Sequence, residues 1–155
     1  MSASMMHTPY SGGGARESQA AVMLRSAGGK PLRVSGALLA EGSSRWPGAP
    51  LWHEIQVYEC DSGGYALGLR LRDASGRESG ADRAKVFASL DDVAVWLEGF
   101  DPAGDLHAGF DVSDPAANGA EIALKAAALR DRTEQLRHAF RALVGELLYR
   151  MDTEI

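Results

Sequence analysis

The chain has 155 residues, a formal net charge of −5 and one cysteine. That length supports a real core without staples, and a lone Cys60 cannot close an intramolecular disulfide, so a small disulfide-stapled scaffold is excluded. The acidic balance argues against a phosphate-rich partner, but it is uneven: residues 1–90 carry ten Lys/Arg against eight Asp/Glu, and residues 91–155 carry six against thirteen, so a local positive surface remains open to the first half.

Residues 1–14, with Gly12-Gly13-Gly14 and no apolar period, read as a flexible N-terminal tail. No basic segment followed by an apolar stretch opens the chain and no apolar run reaches membrane-spanning length, so a cytoplasmic protein with no membrane partner is expected. Ala20 to Leu24 fits a strand or two helical turns before Gly28-Gly29. Pro31 to Ala40 alternates through Leu32, Val34 and Leu38 as a half-buried strand, and Gly42 to Pro50, with Trp46 and Pro47, reads as a connection.

Residues 52–60 and 64–72 predict a β-hairpin. Ile55 and Val57 must share a face with Leu67, Leu69 and Leu71, because a one-residue slip would turn the apolar set over; the loop therefore has three or five residues, and Glu54 falls opposite Arg72 or Arg70. Ala81 to Ala88 reads as a further strand. Ser89-Leu90-Asp91-Asp92 caps a short helix closed by Gly99 and Asp101-Pro102. After a linker over 101–119, Ile122, Leu129, Leu136 and Leu143 recur every seven residues beside Ala126, Thr133, Phe140 and Leu147, predicting a long amphipathic helix to about Met151. The expected class is thus α+β: an antiparallel sheet of about four strands and a short helix over 15–112, then a long C-terminal helix over 113–155 that packs on the sheet or on a second subunit.

Motifs for chemistry are sparse. Gly29-Lys30 runs into Pro31 and makes no phosphate loop, and no Gly-x-Ser-x-Gly is present. His53-Glu54 lacks a second His four residues on, so it reads as an inward or edge histidine beside an ion-paired glutamate. Cys60 has no partner at ligand spacing, and Asp101, Asp105, Asp111 and Asp114 lack the calcium-loop spacing and read as turn or cap residues. No cofactor and no metal are expected.

The sharper signal is the second face of the hairpin. If the aliphatic row faces the helices, Trp52, Gln56, Tyr58, Arg70 and Arg72 point the other way around a floor of Ala66 and Gly68, a surface on which unpaired bases stack while cations neutralise phosphates. Arg33, Arg77, Arg83 and Lys85 would extend the positive strip. The plainer alternative is that the aromatics pack under other elements while the arginines pair with Glu54 and nearby acids.

Strand, long connection, hairpin, strand and Ser-capped helix, carried by residues 51–58, 64–72 and 89–97, resemble the Whirly, positive-cofactor-four-like and Pur-alpha group of single-stranded DNA-binding proteins over residues 30–100. The resemblance implies a β-β-β-β-α unit that dimerises through its helices and binds single strands on an exposed sheet, with Trp52, Tyr58, Arg70 and Arg72 at matching positions. Lys-rich strands are missing here, and the acidic C-terminal helix is an addition to the pattern.

Three functions compete. The first is a non-enzymatic homodimer binding single-stranded DNA or RNA. The second is an adaptor or inhibitor engaging a protein through the long helix and the acidic half. Last comes an enzyme built on His53 with Glu54 or Glu59, which alternate strand faces do not converge on a substrate.

Overall fold

Alternation of small and aliphatic residues builds the centre of this molecule. The computed structural model describes residues 21–75, 81–106 and 118–153. The strands are β1 (Val22–Leu24), β2 (Leu32–Val34), β3 (Gly36–Ser43), β4 (Leu51–Cys60), β5 (Tyr65–Asp73) and β6 (Arg83–Phe87); the helices are α1 (Leu90–Gly99) and α2 (Gly119–Thr153), with a 3₁₀ turn at Pro102–Asp105 between them. β3-β4-β5-β6 form an antiparallel sheet in chain order, and β1-β2 form a separate two-stranded ribbon. The α+β class follows from this arrangement.

The hairpin takes the three-residue alternative. Cys60 N–H donates to the Gly64 carbonyl at 3.0 Å, and Gly63 N–H to the Cys60 carbonyl. Glu54 is therefore registered against Arg70, although its ion pair, at 3.3 Å, is with Arg72 on the diagonal. Ile55, Val57, Leu67 and Leu69 are fully buried on one face under Val93, Leu97, Phe140, Leu143 and Leu147. Ser89 caps α1, its side chain accepting from the Asp92 amide, as the capping pattern requires.

Two elements differ from the sequence reading. Pro31 to Ala40 is not one strand: the chain breaks at Ser35, whose carbonyl accepts from the Asp61 amide at 2.8 Å, and β2 turns away to pair with β1. The linker after Asp101 holds a 3₁₀ turn, capped by the Asp101 side chain on the Ala103 amide. The expected tail, residues 107–117 of the linker and Arg77 lie outside the described residues. No described helix is long and apolar enough to cross a membrane.

Candidate functional site

Strand parity places Trp52, Glu54, Gln56 and Tyr58 on the face away from the helices, beside Ala66, Gly68, Arg70 and Arg72. That face is not an open platform. Leu24 and Val34 of the ribbon, with Val22 and Leu32, pack on Tyr58, Ala66, Cys60 and Ala84, and a Cβ on Gly68 would come within 3.0 Å of a Leu24 methyl. The small-residue floor accommodates the protein's own leucine instead of a base. Tyr58 is left 7% exposed and Trp52 8% exposed, the latter beneath the Arg45 guanidinium at 4.6 Å from the ring centroid. Burial and then Glu41 push the Tyr58 phenol up, with Arg70 pulling the other way.

The positive strip is also broken. Gln56, Arg70 and Arg72 remain half-exposed at the uncovered end, with Glu54 beside them and Glu41 across from Gln56, so the charges there are mixed. Arg33 is exposed on β2, on the ribbon rather than the sheet. Lys85 and Arg83 belong to the helix side, registered against Leu67 and Leu69; Lys85 lies 5.4 Å from the Trp96 ring centroid.

Arg83 instead completes a buried polar cluster. Its guanidinium grips Asp105 with two bonds, 2.6 and 3.0 Å, and His53 Nε2 meets the same carboxylate at 2.8 Å. An ionised carboxylate only accepts, so the proton of that bond belongs to Nε2. Burial would raise the Asp105 carboxyl, but the bonds from His53 and Arg83 outweigh it and hold the group below the usual carboxylate range. His53 is fully buried, in T-shaped contact with Phe100 and Phe140, and its Nδ1 has no hydrogen-bond partner among the described residues. The cluster pins the 3₁₀ turn to the sheet. His53 is thus the inward histidine of the sequence reading, and Glu54 the paired glutamate; Asp105 is more than a turn residue. Among the described residues no three His, Cys, Asp or Glu side chains converge to hold a metal ion.

The long helix divides in two. Leu136, Phe140, Leu143, Val144, Leu147 and Met151 are buried, whereas no residue of α2 ahead of Leu136 is. Residues 119–135 amount to about 25 Å of helix at the α-helical rise, and the seven-residue seam continues along them through Ile122, Ala126, Leu129 and Thr133. A cleft of about 250 Å³ opens where this half leaves the sheet, walled by Trp46, Pro50, Leu51, Leu106, Leu129 and Leu136, with Arg132 and Gln135 at its edge.

No family model matches the chain, and no curated protein or solved structure does either. The seam itself was legible as a heptad; the cleft was not, because Trp46 and Pro50 carry only turn signals in the sequence.

Proposed function

We propose that this protein is a non-enzymatic interaction module that presents the first half of α2 to another protein. One observation carries the reading: the same heptad seam that is buried from Leu136 onward runs on through Ile122, Ala126, Leu129 and Thr133, which stay only half-buried, with Leu129 at the wall of the cleft beside Leu51 and Leu106. A seven-residue apolar repeat is the pattern by which helices pack on other helices. The full chain and an Ile122→Asp/Ala126→Asp variant, each shown folded by circular dichroism, would be compared by affinity capture in extracts of the native source. A partner retained by the wild type and lost by the variant is expected; identical captures would remove the reading.

A second reading, single-stranded nucleic-acid binding by a homodimer, is supported by half-exposed Gln56 and Arg70 at the open end of the sheet and by exposed Arg33 and Arg45. It ranks below the first because stacking needs reachable rings, and Trp52 and Tyr58 are covered. A labelled thymidine oligonucleotide titrated at about 0.15 M salt is expected to show no saturable binding. Salt-sensitive binding weakened by Arg70→Ala would restore this reading in place of the first.

A further inference from the structure

The charges beside the half-buried first stretch of the seam are sorted. Lys125 and Arg132 precede Ala126 and Thr133 on one side, and Arg130 and Arg137 follow Leu129 and Leu136 on the other; at 100° per residue all four border the apolar stripe, whereas Asp131 and Glu134 fall on the outer face. Arg137 is bound to Asp101 in a two-bond grip. Lys125, Arg130 and Arg132 are exposed and have no acid partner among the described residues. The one seam hydroxyl, Thr133 Oγ1, donates back to the Leu129 carbonyl at 2.8 Å, which leaves its methyl to the seam.

We infer that the first half of α2 docks an acidic amphipathic segment of a partner protein, one whose carboxylates flank an apolar stripe and whose bulky apolar anchor enters the cleft beside Arg132. The inference rests on the interaction-module reading and adds the partner's chemistry to it. Charge complementarity selects this occupant over a second copy of the chain: two such seams laid together would set cations against cations in either orientation, and like charges across an interface disfavour pairing. A lipid surface is also disfavoured, since membrane-lying helices present a broad apolar face with bulky anchors. This seam is narrow, and two of its four positions are Ala126 and Thr133.

The test uses the full chain and two fluorescent peptides of three heptads, both with leucine in the seam, one with glutamate and the other with lysine at the flanking positions. The glutamate peptide is expected to bind at least about tenfold tighter. A Lys125→Glu/Arg130→Glu/Arg132→Glu variant is expected to reverse that preference, and Ile122→Asp to abolish binding of both peptides. Equal binding, or none, overturns the inference; so does tighter binding to phosphatidylserine vesicles than to the glutamate peptide, and so does a dimer by light scattering that Ile122→Asp dissociates. If native capture still separates wild type from the seam variant while the glutamate peptide fails, the interaction module stands and only the acidic partner falls.

Discussion

A carboxylate that is almost completely removed from water is tolerated only when its lone pairs are met, and Asp105 is such a case. Its side chain is 3% exposed, with Arg83 and His53 both directed at it. Removing one member of a buried pair leaves the other charge uncompensated, which costs about 3–5 kcal/mol when both partners are deeply buried. Arg83 is one-third exposed, so Asp105→Asn is expected to lose roughly 3 kcal/mol in denaturant unfolding near neutral pH, at the low end of that range. The folded carboxyl is held below its unfolded value. Its contribution is therefore fully present above about pH 4, the unfolded range, and disappears as pH falls through the depressed folded value. The stability difference between wild type and Asp105→Asn should shrink over that acid window, a pattern that equilibrium unfolding at stepped pH would read directly. Asp101 titrates in the same direction, brought down to about 2 chiefly by Arg137, but it is exposed and its share should fade with salt.

At the level of elements, strand parity was readable and coverage was not. Ile55, Val57, Leu67, Leu69 and Leu71 alternate strictly, so the hairpin and the identity of both faces follow from the residues alone, while the register is narrowed only to a three- or five-residue loop. What lies over the second face depends on a three-residue strand from Val22 to Leu24, too short for periodicity to distinguish from helix. The break at Ser35 that lets β2 join it has no strong signal of its own. Lys85 and Arg83 were misplaced for a related reason: parity on β6 needs its register to β5, and an unfixed turn leaves that register open. Leu24 is 1% exposed and rests on Tyr58, Ala66 and Gly68. Truncating so buried a leucine costs about 2–5 kcal/mol, so Leu24→Ala should lower the unfolding midpoint accordingly. It should also let the raised Tyr58 phenol ionise nearer its ordinary value, which absorbance titration against a Tyr58→Phe control would detect. An unshifted Tyr58 in a destabilised Leu24→Ala variant would mean that the ribbon does not cover the ring.

On the scale of the whole molecule, one seven-residue repeat serves two purposes along α2, and the residue letters alone do not say where one gives way to the other. Ile122, Leu129, Leu136 and Leu143 are interchangeable in the pattern, yet only the latter two are buried. The long helix was expected to lie on the sheet or along a second subunit; the C-terminal half does the first, and the N-terminal half is left for a partner in the reading proposed above. Stability and binding should therefore separate along a single helix. Leu143→Ala removes a core side chain that packs with Phe140 and Leu147 against β3 and β4, and a loss of about 2–5 kcal/mol is expected in unfolding experiments. Ile122→Ala replaces a partly exposed β-branched residue by the best helix former, so its effect on unfolding should stay within about 0.5 kcal/mol. Hydrogen exchange should draw the same boundary, with amides of 119–133 opening locally and those of 136–151 opening only with the global transition. If Ile122→Ala proved as costly as Leu143→Ala, or if the early amides were protected as well as the late ones in the isolated chain, the first half of the helix would already be packed within the fold and would not be available to a partner.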